Sequence, residues 1–410
     1  MTAKKIEEAR AFILAGQLRQ SESTVAIRSP YDQSVVAEVC QAGPEDATLA
    51  VDASSEAFAR TRRLPSYERA RILSQVSDEI AGQKEEFARV IALEAGKPIR
   101  DARTEVGRAI NTFAVAAEEA KRIGGEVIPL DWTPGSENFS AIVRRFPIGP
   151  VLGITPFNFP LNLVAHKLAP AVASGNPIII KPAPQSPLSA LHLGEVVLRA
   201  GWPAEALSVI PCPNEVAGRM VHDPRIKKLT FTGSAEVGWR LKGEVPHKKV
   251  TLELGGNAAV IVHNDADTET AVRRCLLGGF TYAGQSCISV QRLYLHEEIA
   301  EAFIENFIEG VRGLKVGDPL NEAMDLGPMI NPEAAERAES WVKEAVNAGA
   351  RLLAGGKREG SLLGPTVLTD VRQNQKVFCE EVFAPVVVIE RYDDFDGVLD
   401  RVNDSRYGLQ

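Results

Sequence analysis

One carboxylate and one thiol stand out in the stretch from Thr251 to Val290. It opens with Thr251-Leu252-Glu253-Leu254-Gly255-Gly256 and closes on Gly284-Gln285-Ser286-Cys287-Ile288-Ser289. A free thiol with a pKa of ~8.5 is only a few per cent thiolate at neutral pH, so a nucleophilic cysteine needs a base, a dipole or a cation beside it. Glu253 can supply the base, because it ends an apolar strand-like run just before a glycine pair where the backbone opens into a turn. The competing reading is an inert buried cysteine and a solvated strand-end acid. Asn158, held among Phe157, Phe159 and Pro160, has the amide that an oxyanion donor requires, although an asparagine in a turn is also an ordinary local cap.

Other residues point to an anionic ligand. Thr232-Gly233-Ser234-Ala235-Glu236-Val237-Gly238 ends a strand and opens a helix, so its free N–H groups suit a pyrophosphate; it is not the Gly-x-Gly-x-x-Gly fingerprint, and the plain alternative is a turn. Lys181 closes an Ile-Ile-Ile run, where a lysine either snorkels to water or meets a ligand. Gly96-Lys97-Pro98 lacks the flanking residues of a phosphate-binding Walker loop, which argues against ATP hydrolysis.

The elements that must position these residues follow from periodicity. Met1 to Leu18 has apolar residues in helical spacing and no signal-peptide core. Short strands are expected over Val25–Ile27 and Val35–Val39, then helices starting near Glu45, Ser66, Gln83 and Ala102. Glu126–Leu130 and Phe139–Phe146, divided by Thr133-Pro134-Gly135-Ser136, read as a hairpin, either a subunit-contact arm or a surface feature. From Val151 apolar strands (Val151–Thr155, Pro177–Lys181, Ala206–Ile210, Lys228–Phe231) alternate with helices, the pattern of a doubly wound parallel sheet that binds ligands at its carboxyl ends. After Gly256 the alternation restarts, with a helix expected over Thr268–Tyr282. The expected fold class is therefore α/β: a doubly wound parallel sheet from Val151, a hairpin before it, and a second α/β domain after Gly256. The acid and the thiol then sit at the seam.

Length and composition bound the rest. A chain of 410 residues exceeds one ordinary core, and 45% hydrophobic with 24% charged residues is globular. A formal charge of -8 argues against nucleic acid. The five cysteines are dispersed with no Cys-x-x-Cys, so no metal site is expected and a reducing, cytoplasmic compartment fits. No apolar run is long enough to span a bilayer, and no membrane partner is expected.

Taken in order, Thr155-Pro156-Phe157-Asn158-Phe159-Pro160, Lys181-Pro182-Ala183, Phe231-Thr232-Gly233-Ser234, Leu252-Glu253-Leu254-Gly255-Gly256, Gly284-Gln285-Ser286-Cys287 and Glu380-Glu381-Val382-Phe383-Ala384-Pro385 resemble the aldehyde dehydrogenase superfamily. The likeness runs from about Ile27 to Gln410, and is to the hydrolytic members that act on lactaldehyde, semialdehydes and phosphonoacetaldehyde. It implies Cys287 as nucleophile, Glu253 as general base and Asn158 as oxyanion donor, with a thioester hydrolysed to a free acid. It implies NAD or NADP as cofactor, held by Thr155, Pro156, Phe157, Lys181, Ala183 and Pro184 on one side. Gly233, Ser234, Gly238, Leu254, Glu381 and Phe383 would hold the other. Arg108 matches a position lining the aldehyde tunnel, where it would bind an anionic tail. The resemblance further implies a Rossmann-type dinucleotide-binding domain of residues 1–123 and 147–253, an oligomerisation hairpin of residues 124–146, a catalytic α/β domain of residues 254–410, and a homodimer or homotetramer built through the hairpin.

Three departures from the family pattern are visible. Pro184 stands where many NAD-preferring members carry a glutamate, so NADP use stays open; Ala384 replaces a glycine; and the chain ends at Gln410 where members continue, which puts the activity of this form in question. An inactive structural relative and a coenzyme A-acylating enzyme are the alternatives, the second disfavoured by Glu253.

Overall fold

The computed structural model describes residues 9–410. Chain order begins with strands β1 (Phe12–Leu14), β2 (Gln17–Arg19), β3 (Thr24–Arg28) and β4 (Val35–Cys40). The helical spacing expected for Met1 to Leu18 is not what forms over its described part. Phe12, Ile13 and Leu14 are all buried, and the Phe-Ile-Leu triplet pairs into the main sheet. Ala15 and Gly16 turn the chain back at φ 50° and 76°, and a Cβ on Gly16 would lie 2.5 Å from that of Ala204. Residues 1–8 lie outside the described part.

Four helices follow: α1 (Pro44–Thr61), α2 (Ser66–Gly82), α3 (Lys84–Ala95) and α4 (Ile99–Arg122). Helix α4 starts three residues before the expected Ala102, because Pro98 supplies its fixed φ at the N-cap. Strands β5 (Glu126–Pro129) and β6 (Ser140–Val143) form the expected antiparallel hairpin, shorter than its apolar run.

The alternating part then gives β7 (Val151–Ile154), α5 (Asn162–Ala173), β8 (Ile178–Lys181), α6 (Leu188–Arg199), β9 (Leu207–Val209), α7 (Asn214–His222), β10 (Lys228–Thr232), α8 (Ala235–Glu244) and β11 (Lys249–Glu253). The sheet order is β11-β10-β7-β8-β9-β1-β2, parallel from β11 to β9. Succession from β7 runs one way through β8 and β9, and the other way through β10 and β11. The loops after β7 and β10 therefore flank a topological switch point, where open parallel sheets leave a crevice.

Two buried carboxylates hold the helices that leave this crevice. Glu105 on α4 accepts the Leu161 and Asn162 N–H groups at 3.0 and 3.1 Å, at the start of α5. Glu94 on α3 accepts those of Leu188 and Ser189 at 2.7 and 3.0 Å, at the start of α6. Each supplies from a distant helix what an N-cap side chain supplies locally, typically ~0.5–2 kcal/mol.

The remaining chain builds β12 (Ala258–Val262), α9 (Thr268–Phe280), β13 (Val290–His296), α10 (Glu297–Gly313), α11 (Pro332–Asn347), β14 (Arg351–Ala354), the short pair β15 (Arg358–Glu359) and β16 (Leu362–Leu363), β17 (Thr366–Thr369), α12 (Lys376–Cys379), β18 (Val386–Tyr392) and α13 (Phe395–Asn403). Its sheet runs β12-β13-β18-β17-β14 over a separate apolar core. Helix α9 ends at Phe280 rather than Tyr282, because Tyr282, Ala283 and Gly284 all take left-handed backbone at φ 52°, 52° and 66°. Gly284 must be glycine: a Cβ there would lie 2.1 Å from the Ala384 carbonyl oxygen. No helix among the described residues is long and apolar enough to cross a membrane.

Candidate active site

Strand β11 ends at Glu253, whose side chain is exposed, and the glycine pair that follows is fixed by contact. A Cβ on Gly256 would sit 2.2 Å from the Cys287 carbonyl oxygen, and one on Gly255 would sit 2.2 Å from Glu381 Oε2. Any side chain at either position would push the thiol loop or Glu381 away. The Gly256 N–H instead donates to Glu381 Oε1 at 3.1 Å. Cys287 is half-buried.

Asn158 is buried, and its Nδ2 donates to the Gln285 carbonyl at 3.0 Å, tying the loop after β7 to the thiol loop. Its Oδ1 has no partner. Gln285 fixes the thiol loop in turn: its amide donates to the Tyr282 and Pro328 carbonyls, each at 3.3 Å, and accepts the Ile330 N–H at 2.8 Å. The sequence motif contained Gln285, but nothing in it revealed this role.

The electrostatics disfavour a resting thiolate. Burial, and next the Glu381 carboxylate, push the Cys287 thiol above its ordinary value, and Glu253 adds to this; the residue's own backbone N–H and Arg108 pull the other way. A negative sulfur facing two carboxylates is costly unless one of them takes the proton. Behind Glu253 lies Lys167, buried beside Thr230 and Thr232 with Oγ1 distances of 3.3 and 2.7 Å. Burial lowers Lys167 to about 8, and Glu253 opposes that shift. Lys167 and its neighbour His166 escaped the sequence reading. Their one signal was a pair of basic residues inside an apolar helix.

Arg108 borders a cavity of about 240 Å³ that is also lined by Glu105, Phe159 and Tyr282, with Ser286 and Ile288 on either side of the thiol. Its guanidinium lies 5.4 Å from the Phe159 ring centre. Lys97, Arg100 and Arg103 nearby all pair with carboxylates; among the described residues Arg108 pairs with none. His166 shares a second recess with Arg108, and burial, then Arg108, hold its imidazole below the ordinary histidine value.

The residues expected to hold a dinucleotide fall into a continuous line. The Gly233 N–H donates to the Glu253 carbonyl at 3.0 Å, and the Thr155 N–H to that of Lys181 at 3.1 Å. Phe157 and Phe383 meet edge to face at 5.9 Å. A Cβ on Gly238 would fall 2.4 Å from Leu254 Cδ2, so the first turn of α8 packs directly on that residue. Ser234 caps α8 through the Val237 N–H. Lys181 is buried, its ammonium lowered by burial, with the Asn214 amide at 3.3 Å as its hydrogen-bond partner. Pro156 is half-buried beside this line, Ala183 is buried and Pro184 is exposed. An under-satisfied buried ammonium, a helix N-terminus and a glycine turn suit a diphosphate and ribose well. No cluster of side chains among the described residues could hold a metal ion.

The model of the aldehyde dehydrogenase family matches residues 18–410. The chain belongs to that family. It is 44% identical over 396 residues to the 3-sulfolactaldehyde dehydrogenase of Priestia aryabhattai, covering 96% of this chain and 83% of that protein. The solved aldehyde dehydrogenase 21 of Physcomitrella patens, in complex with the reaction product succinate, superposes with a TM-score of 0.96 at 44% identity, covering 98% of this chain and 84% of that one. The glyceraldehyde-3-phosphate dehydrogenase GapN of Methanocaldococcus jannaschii, complexed with NADP, gives 0.90 at 38% identity, covering 95% and 84%. Membership accounts for both sheets and for the order of the motifs along the crevice.

Because burial and carboxylates raise the thiol, alkylation of Cys287 by iodoacetamide without cofactor is expected to keep accelerating above pH 9. Glu381→Gln is expected to move the midpoint down. A midpoint near neutrality in the unaltered protein would contradict this electrostatic account.

Proposed function

We propose that this aldehyde dehydrogenase oxidises a small aldehyde with an anionic tail to its carboxylic acid, using NAD or NADP. The observation that carries the reading is the approach of Gly256, three residues after Glu253, to the Cys287 carbonyl, with the Asn158 amide hydrogen-bonded to Gln285 in the same loop. In the reaction Glu253 takes the thiol proton, directly or through a water, and Cys287 Sγ bonds to the aldehyde carbon. The resulting alkoxide is held by the Asn158 amide and the Cys287 N–H; losing one such donor costs roughly 10²–10³ in rate. The dinucleotide, when bound, supplies the hydride acceptor. What remains is a thioester on Cys287. Glu253, exposed to the crevice, passes the first proton to solvent and then deprotonates the water that adds to the acyl carbon, a base role worth roughly 10²–10⁴; the C–S bond breaks, releasing the acid and the Cys287 sulfur.

For the dinucleotide, Lys181 would meet the adenosine ribose, and the α8 N-terminus with Gly233 and Ser234 the pyrophosphate. Thr155, Pro156, Phe157, Ala183, Gly238 and Leu254 shape the walls, while Glu381 and Phe383 bound the nicotinamide side. No carboxylate follows Lys181-Pro182-Ala183 to repel a 2′-phosphate, so either cofactor is accommodated. The unpaired Arg108 beside the thiol supports the anionic tail, as do the sulfonate or carboxylate in the names of the relatives. The free thiols suit a cytoplasmic setting.

Absorbance at the reduced-nicotinamide band tests the reading against an aldehyde panel, with each dinucleotide and with or without coenzyme A. Oxidation independent of coenzyme A is expected. Arg108→Ala is expected to lower kcat/KM roughly 10- to 100-fold for anionic aldehydes, the scale of a lost charged hydrogen bond, and little for neutral ones. An equal loss for both removes Arg108 as the tail's partner, and no signal from folded protein removes the activity.

The hairpin is the proposed oligomerisation arm of a homodimer or homotetramer. Its Val127, Trp132, Phe139 and Ile142 are 64% to 73% exposed, more apolar surface than a free hairpin keeps without a partner. Val127→Lys with Ile142→Lys is expected to shift sedimentation to a smaller species, and an unchanged mass would exclude this arm.

A further inference from the structure

Lys97 has no part in the chemistry described so far, yet it is 1% exposed and lies inside the protein beside the substrate cavity. Its ammonium pairs with the buried Glu105 carboxylate. Its remaining surroundings are aromatic: it lies 3.7 Å from the ring centre of Phe159 and 4.5 Å from that of Tyr282. Those two rings come from different halves of the molecule. Phe159 follows Asn158 in the loop after β7, and Tyr282 opens the segment that leads to Cys287.

The Tyr282 segment needs holding. Two consecutive non-glycine residues in left-handed backbone are disfavoured, and such conformations persist only where surroundings over-determine them. Tyr282 is fixed at its far end by its hydroxyl, which donates to the Ala95 carbonyl at 2.7 Å, and across its face by Lys97. Both anchors lie at the junction of α3 and α4, so the thiol loop of the second sheet is secured to the first. Glu105 completes the arrangement by capping α5, which carries the Asn158 loop.

We infer that Lys97 is a positioning residue for the oxyanion site: by binding the faces of Phe159 and Tyr282 at once, it sets the Asn158 amide against the Cys287 loop. A cation attracted to two ring faces constrains their mutual orientation in a way that an apolar side chain of equal volume does not. The inference rests on the roles proposed above for Asn158 and Cys287. Lys97 touches neither the aldehyde carbon nor the sulfur, and acts through the relative placement of two loops.

The test separates attack on a carbonyl, which needs the oxyanion donors, from alkylation by iodoacetamide, which does not. In Lys97→Met, the single-turnover rate of dinucleotide reduction by a good aldehyde substrate is expected to fall roughly 10- to 100-fold, the scale of a misplaced catalytic group. Alkylation of Cys287 is expected to stay within about twofold, since thiol and base are intact. Phe159→Leu keeps the Lys97–Glu105 pair and gives the same split if Lys97→Met does not fold. In an Asn158→Ala background, Lys97→Met is expected to add little, because both act on one interaction. Unimpaired reduction in Lys97→Met and Phe159→Leu, or alkylation falling in parallel with reduction, overturns the inference. A full rate in Asn158→Ala alone would instead sink the reading of the site on which it rests.

Discussion

The constraint on which the site depends is a close approach with no room for a methyl group. Gly255 and Gly256 lie against Glu381 and the Cys287 carbonyl so tightly that a Cβ on either would overlap an oxygen at 2.2 Å. That contact brings the end of β11, which carries Glu253, onto the loop that carries Cys287. One strand belongs to the seven-stranded sheet and one loop to the five-stranded half, so the glycines decide whether acid and thiol share a space at all. The rest of the proposed site is arranged around that junction, with the Asn158 amide fixed to Gln285 and the proposed dinucleotide residues running outward along the ends of β10 and β7.

Electrostatics then explain why the junction is reactive only with help. The thiol faces two carboxylates and is partly buried, which holds it protonated. Ionisation has to be coupled to proton uptake by a neighbour, and exposed Glu253 is suited to that task because its strand end opens to the crevice. Lys167 sits behind the acid with its own ammonium weakened by burial to about 8. Arg108 is a cation whose field reaches the thiol, and under the proposed reading a bound anionic tail neutralises it and changes the field at sulfur.

Much of this was legible in the sequence because it is local. Strand and helix alternation from Val151 and the glycine turn at Gly233 each carry their physical reason within a few residues, whereas the glycine pair after Glu253 shows in sequence as a turn and owes its tightness to the distant Cys287 and Glu381. The misreadings lie where distant contacts win. Phe12 to Leu14 has helical neighbours in sequence, but its burial against β9 makes it a strand. Left-handed backbone at Tyr282 and Ala283 carries no local mark, since neither residue favours it, and so α9 was expected to run on. Lys97, Glu105 and Glu94 carry no mark of burial in the sequence; it depends on helix ends and aromatic rings over fifty residues away. Lys167 was hidden in the same way, behind a strand whose Gly153 leaves space for its stem.

The central claim is that a single sulfur carries the substrate while Glu253 clears it, and the mass of the sulfur-bearing peptide tests this most directly. Glu253→Gln, at a pH high enough to ionise the thiol without the acid, is mixed briefly with an aldehyde substrate and NAD or NADP, quenched in acid, digested and analysed by mass spectrometry. The account predicts that the Cys287 peptide gains the mass of the aldehyde less two hydrogens, only when the dinucleotide is present. An unmodified Cys287 peptide after measurable dinucleotide reduction, or the same adduct on Cys212, Cys275 or Cys379 instead, would contradict it.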